Sequence, residues 1–420
     1  MSGAATLSAP PADAAGLVPI RPFPKARVIA TEAEALAVAH DLAARIAPGA
    51  SERDRTRAIP HEVLDWISQE GLFGITVPRS HGGADVSFAT LTDVFRILSA
   101  ADAAIGQLPQ NHFVFVEALR QDGTPAQQAF FFAEILAGAR LGNAQAERGG
   151  TSALDLATRL VPDGPDRFVL SGTKYYCTGA LTAHWIPVAA IDPVGRLVLA
   201  YVPRHAPGVT VEADWNAMGQ RTTYSGTVHL DGVSVAAAQV VAHWQLFDRH
   251  TVYHPLSSLL HAAIDVGIAG DALAEGVALI RARSRPRLGA AVSGAQDDPL
   301  LLLALGQLST RLHAAEALLQ RAAGRLDAAV AAGVDADNAA LAAVEVGEAK
   351  AFAEDVALAV SNEIFALIGS AASDEGRNLN RHWRNARTHT IHDANQWRFH
   401  AAGNWLLNGV APGKPLRKRQ

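Results

Sequence analysis

The stretch GTVHLDGVSV, residues 226–235, decides the fold class of this chain. It is a short β-branched run broken by Gly and Asp, which is typical of a strand and not of a helix. Similar runs recur between about 156 and 243 as RFVLSG, WIPVAAI, LVLAYVP and GVTVEA. No long helical segment separates them. We therefore expect a small antiparallel sheet domain, a barrel or sandwich, and not a doubly wound nucleotide-binding fold.

The sequence on the N-terminal side of this region predicts helices. Thr31 and Glu34 have the spacing of a capping box, and Thr124 opens a similar signature. Pro109 is expected to kink or end a helix, because it lacks a backbone N–H and its ring crowds the preceding turn. These signals indicate an N-terminal helical domain over residues 21–145.

The sequence on the C-terminal side returns to long Ala- and Leu-rich helical patterns. Asp298-Pro299 predicts the start of one helix, and Gly369 the end of another. Their broad apolar faces favour a four-helix bundle over residues 256–420, which leaves 146–255 for the sheet domain. The expected class is α+β, in the order helices, sheet, bundle.

Composition excludes several classes of protein. The 420 residues are 49% hydrophobic and 18% charged, which excludes a disordered chain. A net charge of −5 argues against general nucleic-acid binding. Cys177 is the only cysteine, so we expect neither a disulfide nor a cysteine-based zinc site, and a cytoplasmic location. Residues 1–20 suggest a flexible tail, and charged residues interrupt every long apolar run, so no membrane span is expected.

The stretch RHWRNARTHTIHD, residues 381–393, is the strongest candidate site. Its arginines recur at helical spacing, and it ends in His389, His392 and Asp393. Titratable clusters of this kind often mark function. One alternative is a C-terminal helix whose cations offset its own dipole. A metal site is not expected, because no third ligand is visible nearby.

Three polar loops around the sheet are further candidates. LGNAQAERGG (141–150) could place a flat ligand against exposed backbone, with Asn143 bonding its polar edge. The small residues Thr178 and Gly179 in GTKYYCTGALTAHW (172–185) also suit a planar ring, and GQRTTYSG (219–226) is rich in hydroxyls. Each loop, considered alone, is explained equally well without a ligand, as an interdomain turn or as ordinary strand residues.

In chain order, KYYCTGA, GQRTTYSGTVHLDGVSV and RHWRNARTHTIHD resemble the acyl-CoA dehydrogenase family. The likeness is closer to its flavin monooxygenase branch, which includes dibenzothiophene monooxygenase. IGQLPQNHF, GNAQAERG and HAAIDVGIA are similar to the SfnB-type sulfur-acquisition oxidoreductases of that branch. The resemblance extends over about 21–409.

The resemblance implies an oxygenation reaction. A separate flavin reductase would supply reduced FMN, which reacts with oxygen to give a flavin hydroperoxide that oxygenates a small organosulfur compound. By position in the matching motifs, Asn143 would lie near flavin and substrate, and Thr178, beside Gly179, near flavin N5. His389 and His392 match paired histidines, which could transfer protons because imidazoles titrate near neutrality.

The resemblance also assigns phosphate contacts. Arg285 matches an arginine that reaches the flavin phosphate of a neighbouring subunit, which implies a homotetramer. Ala371 replaces a second phosphate-binding arginine, and Ser373 or Arg377 could compensate. This substitution leaves FMN or FAD open as the cofactor.

Substrate contacts depart from the relatives. Gln107 and Asn111 stand where dibenzothiophene monooxygenase has a histidine and a tyrosine, while His112 remains. These three residues are the candidates for substrate binding, and they imply a smaller or more polar pocket.

Two alternatives to oxygenation remain at this stage. The first is FAD-dependent desaturation of an acyl-CoA, for which the family uses a carboxylate base. Asp393 occupies that position but is one methylene shorter than the usual Glu, which displaces the base, so we favour oxygenation. The second is a non-enzymatic helical scaffold with a vestigial flavin site, which Ala371 would permit.

Overall fold

The computed structural model describes residues 16–20, 23, 25–150, 152, 155–282, 286, 289 and 292–413. Arg285 lies outside them, as does most of the tail expected over 1–20.

The N-terminal part is helical. Its helices are α1 (Glu32–Ile46), α2 (Ala50–Thr56), α3 (His61–Gln69), α4 (Phe88–Ala101), α5 (Ala103–Gln107), α6 (Gln110–Asp122) and α7 (Pro125–Leu136). Thr31 caps α1 by accepting a hydrogen bond from the Glu34 N–H, although the Glu34 carboxylate bonds Ala30 N instead of closing the box. Thr124 and Gln127 form a complete capping box on α7. Pro109 separates α5 from α6, so the expected break is present.

The middle part is a seven-stranded sheet. Its strands are β1 (Arg159–Pro162), β2 (Arg167–Lys174), β3 (Trp185–Ile191), β4 (Leu197–Pro203), β5 (Val209–Val211), β6 (Val228–Ala236) and β7 (Val240–Val241). Their order is β5-β6-β2-β1-β3-β4-β7. Among the described strands, all pairings are antiparallel except a single residue pair between β1 and β3, which is parallel. The sheet is therefore mixed, which corrects the purely antiparallel expectation.

The C-terminal part consists of long helices. They are α8 (Tyr253–Arg281), α9 (Pro299–Ala332), α10 (Ala336–Ile368), α11 (Asn380–Thr390) and α12 (Gln396–Asn408). Asp298 caps α9, and Gly369 follows the last residue of α10, as the sequence predicts. A Cβ on Gly267 of α8 would lie 2.6 Å from Ser99 Cβ of α4, so these two helices are in close backbone contact.

This order of helices, sheet and helical bundle confirms the predicted fold class. The N-terminal helices and the bundle share one apolar core through α4 and α8, and the sheet has a second core of its own. Within the described residues, none of the helices combines the length and apolarity that a membrane crossing requires.

Candidate active site

Three backbone segments meet tightly beside the sheet: the end of α5, the 141–144 segment and the turn after β2. Asn143 N donates to Thr178 O at 3.0 Å. A Cβ on Gly142 would lie 2.7 Å from Ala180 Cα, and one on Gly179 would lie 3.4 Å from Leu108 O. Gly179 also has φ +76°, a left-handed conformation that glycine adopts without strain. The two glycines let the three segments form one junction.

A chain of buried hydroxyls leads away from Thr178. Thr178 Oγ1 and Ser225 Oγ are 2.6 Å apart, and Ser225 Oγ and Thr223 Oγ1 are 2.8 Å apart. Thr223 donates to Gln220 O at 2.9 Å, because a carbonyl can only accept. Ser225 must then donate to Thr223, and Thr178 to Ser225. Thr178 Oγ1 therefore remains available only as an acceptor for a ligand.

Several buried amide atoms at this junction have no hydrogen-bond partner among the described residues. They are Gln107 Oε1, Asn143 Oδ1 and both side-chain amide atoms of Gln220. Gln220 is only 1% exposed, and its backbone is left-handed at φ 48°. Orphaned buried polar atoms are rare in native proteins, so these four atoms call for a ligand or ordered water.

Helix α11 connects this junction to the histidines. A Cβ on Gly219 would lie 1.9 Å from Arg384 O, so the 219–226 loop packs directly on the helix backbone. Asn385 Oδ1 accepts from Gln220 N at 2.7 Å. His389 is four residues after Asn385 and therefore lies on the same side of α11.

His389 is the centre of a buried hydrogen-bonded network. Its Nδ1 lies 2.7 Å from Asp265 Oδ1, and its Nε2 lies 2.8 Å from His261 Nδ1. The ring of His261 stacks on that of His392, with centroids 4.8 Å apart and an interplanar angle of 30°. Burial, followed by the neighbouring His392 and His389, holds the pKa of His261 well below its ordinary value.

Neither His261 nor Asp265 is among the site residues that the sequence predicts. The available signal was their spacing within HAAIDVGIA, because residues four apart share one face of a helix. Ser257, one turn earlier on this face of α8, accepts a hydrogen bond from Gln110 Nε2 at 3.0 Å. The same face of α8 thus contacts both α6 and α11.

His392 and Asp393 lie beyond the end of α11 in a more open environment. The His392 side chain is 61% exposed, and its Nδ1 is 3.8 Å from Asp393 Oδ1. Asp393 forms an ion pair with Arg398 and lies 3.6 Å from the buried Lys350, which also pairs with Glu354. His392, then Arg398 and Lys350, hold the pKa of Asp393 well below its usual range, although burial acts in the opposite direction.

The three predicted substrate residues differ in their surroundings. Gln107 ends α5 and Asn111 lies in the first turn of α6, and both are half-buried. His112 is fully buried: its Nε2 donates to Phe73 O at 2.8 Å, and its Nδ1 accepts from Leu141 N at 3.1 Å.

Burial lowers the pKa of His112 to about 4. Both ring nitrogens are occupied by backbone, so the expected contact between His112 and substrate is wrong. Instead, His112 fixes the segment that carries Asn143.

The structure describes one of the two residues predicted to contact phosphate. Ser373 lies on an exposed turn after α10, where its hydroxyl donates to Ser370 O at 2.7 Å. Arg285, as noted above, is outside the described residues.

One group of described side chains has the spacing of metal ligands: Asp271, Glu275 and His382. His382 Nε2 lies 2.7 Å from Glu275 Oε2, and Arg381 Nη2 lies 2.7 Å from the same oxygen. A guanidinium and an imidazole already occupy this carboxylate, so we assign the cluster to the contact between α8 and α11.

Comparison with known proteins defines the class. Family models for the acyl-CoA dehydrogenase N-terminal, middle and C-terminal domains match residues 31–139, 144–233 and 259–397. The chain belongs to the acyl-CoA dehydrogenase family.

Individual relatives identify its branch of that family. A probable FMNH2-dependent monooxygenase, SfnC, from Pseudomonas putida is 30% identical over 386 residues, covering 90% of this chain and 96% of the relative. Dibenzothiophene monooxygenase from Rhodococcus erythropolis is 29% identical over 398 residues, covering 91% and 95%. The crystal structure of FMN-bound TdsC from Paenibacillus sp. A11-2 matches with a TM-score of 0.85 at 29% identity, covering 90% of this chain and 98% of that one. These findings confirm the resemblance to the flavin monooxygenase branch.

The junction fits a flavin ring on its own chemistry. An isoalloxazine has a planar surface and an edge of alternating hydrogen-bond donors and acceptors. The orphaned Oδ1 of Asn143 offers an acceptor, and the orphaned amide of Gln220 offers both a donor and an acceptor. The donor set therefore suits FMN.

Proposed function

We propose that this chain is a reduced-FMN-dependent monooxygenase that acts on a small organosulfur compound such as a sulfone, sulfoxide or sulfinate. The observation that carries the proposal is the buried Asp265–His389–His261 network beside a junction with orphaned amides, in a chain of the monooxygenase branch. Oxygen is the co-substrate, and a separate flavin reductase supplies the reduced cofactor. We place the enzyme in the cytoplasm, with domain limits at 145/146 and 255/256.

Bound FMN would supply the activation of oxygen, and the protein would hold its ring and manage protons. Asn143 and Gln220 would bond the polar edge of the ring, and Gly179 would shape the turn that carries Thr178 beside it. Thr178 is poised as an acceptor, which complements an N–H donor such as N5 of a reduced flavin. His389 and His392 would serve as proton-transfer groups. Gln107 and Asn111 would contact the substrate.

The environment of Asp393 favours oxygenation over desaturation. A base that removes a proton next to a thioester works best with a pKa near the operating pH. The ion pairs of Asp393 with Arg398 and Lys350 lower its pKa, away from the operating pH. They also fix the carboxylate in place. FAD-dependent desaturation is therefore the second candidate. The scaffold alternative is disfavoured because a vestigial site has no reason to keep orphaned amides.

We further propose a homotetramer in which a neighbouring subunit provides Arg285 to the cofactor phosphate, with Ser373 as a further phosphate contact. The exposed apolar side chains of α12 support this assembly. Trp397, Leu406 and Leu407 are 69%, 88% and 83% exposed in the single chain. Large apolar side chains clustered on one surface helix are typical of a subunit interface.

The test is a pair of reactions with the purified protein. With reduced FMN, oxygen and a panel of small sulfones, sulfoxides and sulfinates, we expect oxygen-dependent product. With oxidised flavin, no oxygen and short-chain acyl-CoA esters, we expect no bleaching of the flavin. Bleaching would support desaturation, and failure to bind FMN, FAD or reduced FMN would support the scaffold.

A further inference from the structure

The network around His389 contains two residues, His261 and Asp265, to which the proposed function assigns no part in proton transfer. Both lie on the buried face of α8, one turn apart, with side chains directed at α11. Asp265 is 0% exposed, and its second oxygen, Oδ2, has no hydrogen-bond partner among the described residues. A buried carboxylate with a single histidine partner is costly to maintain, which points to a specific role.

The hydrogen bonds determine where each proton lies. A carboxylate can only accept, so the proton between Asp265 and His389 is on His389 Nδ1. In a neutral His389, Nε2 is then an acceptor, and His261 must donate to it through its own Nδ1. His261 Nε2 is therefore left as the unprotonated nitrogen at the end of the network.

We infer that Asp265, His389 and His261 form a proton relay in which His261 exchanges the proton and His389 carries the resulting charge. A proton arriving at His261 Nε2 displaces the Nδ1 proton of the same ring onto His389 Nε2. His389 becomes an imidazolium whose Nδ1–H remains on the Asp265 carboxylate, and the net change is the uptake of one proton. Asp265 is thus a positioning residue. This inference rests on the proposed function for its place in a reaction.

The charges around the relay favour this distribution. His261 is faced by His392 and Asp393 from the loop, by Lys350 from α10 and by His389 from α11. Glu354 of α10 faces Asp265 and His389 instead, and Arg398 of α12 lies beyond Asp393. Burial, His392, His389 and Lys350 all disfavour a cation on His261, and only Asp393 opposes them. A positive charge that moves to His389 is one ring further from the stacked His392 and lies against a carboxylate.

The first test reads the tautomers directly in flavin-free protein. The protein is labelled with 15N in its histidine rings and observed by NMR, and the variants His389→Gln and His261→Gln assign the two signals. We expect both rings to carry their proton on Nδ1 at neutral pH. Asp265→Asn should introduce the Nε2–H form of His389, because the amide can also donate to Nδ1. An Nε2–H tautomer of His389 in the wild type would overturn the relay.

The second test is the pH profile of kcat/KM for oxygenation. Asp265→Asn removes the charge that stabilises the protonated relay, so the acid limb should move down by about one pH unit, a tenfold change in protonation. Glu354→Gln is the matched control: it removes a nearby buried carboxylate that interacts with His389 through space without bonding it, so its acid limb should move less than that of Asp265→Asn. An acid limb in Asp265→Asn that coincides with that of the wild type would refute the relay.

Failure of the proposed function and failure of the proton relay give different experimental results. If the wild type oxygenates no organosulfur compound, the proposed function fails, and the tautomers still decide whether the relay exists. If Asp265→Asn does not fold, His261→Gln provides the pH profile, and it should lose the acid limb assigned to the relay. Retention of that limb would contradict the inference.

Discussion

His389 and His392 stand three residues apart in one motif, yet the fold places them in opposite environments. The side chain of His389 is 1% exposed and bonded at both nitrogens, whereas that of His392 is 61% exposed. The difference arises because α11 ends at Thr390, so that His392 is no longer held by the helix. The two histidines look equivalent in the sequence, but the fold holds His389 in place and leaves His392 accessible.

The largest effect is expected for His389→Gln. Loss of a general acid–base group typically lowers the rate by about 10²–10⁴-fold. Asp265 would also keep its buried charge without an imidazole partner, which should cost on the order of 3 kcal/mol of unfolding free energy. Steady-state turnover with reduced FMN and urea unfolding measure the two effects.

His382→Gln is the matched control for that variant. His382 is also buried in α11 and bonded to a carboxylate, Glu275, but it belongs to a separate cluster. We expect a smaller loss of stability, because Arg381 still pairs with Glu275, with turnover per folded enzyme nearly unchanged. Equal losses of turnover in the two variants would mean that His389 acts only through stability.

A smaller effect is expected for His392→Gln. Turnover should fall roughly 10- to 100-fold, the lower part of the range for general acid–base groups, because His261 and His389 remain. Stability should fall by roughly 0.5–1 kcal/mol, since the exposed ring loses only its stacking on His261 and its contact with Asp393. FMN titration should give an unchanged affinity. Wild-type turnover would remove His392 from its proposed role.

These different environments show where sequence reasoning succeeds and where it ends. Strand-like runs, the Thr124 capping box and Pro109 predicted the layout because each acts through its own neighbours in sequence. The pairing of His389 with Asp265 joins residues 124 positions apart, and no local pattern encodes such a contact.

The error at His112 has the same origin. Its position in a polar stretch suggested contact with substrate, but its two partners, Phe73 and Leu141, come from distant segments. The orphaned Gln220 was also invisible in sequence, because a glutamine in a polar loop is ordinarily solvated. In the fold that loop packs against α11, and Gln220 is buried.

Asp393→Asn tests whether the exposed end of the 381–393 stretch contains a base. We expect oxygenation per folded enzyme to change by less than about threefold, because ion pairs with Arg398 and Lys350 occupy the carboxylate. Stability should fall by about 1–2 kcal/mol, since Lys350 retains Glu354 as a partner. Complete loss of turnover would instead indicate that Asp393 exchanges a proton.

The smallest effect is expected in the pH dependence of the stability difference between the wild type and Asp393→Asn. The pKa of Asp393 is lowered in the folded protein, so its carboxylate stabilises the fold above the unfolded value of about 3.9. The contribution is lost as the pH falls from there toward the lower folded pKa. The wild type should therefore exceed Asp393→Asn by a constant amount above about pH 5, and the gap should narrow below about pH 4.

Asp355→Asn provides a control of opposite sign for that measurement. Burial raises the pKa of Asp355, so the folded wild type binds this proton more readily than the unfolded chain does. Relative to the variant, the wild type should then gain stability as the pH falls through the folded pKa. Urea unfolding between pH 3 and pH 7 compares the two slopes. Slopes of the same sign would mean that the ion pairs of Asp393 do not hold its charge, and Asp393 would again be a candidate base.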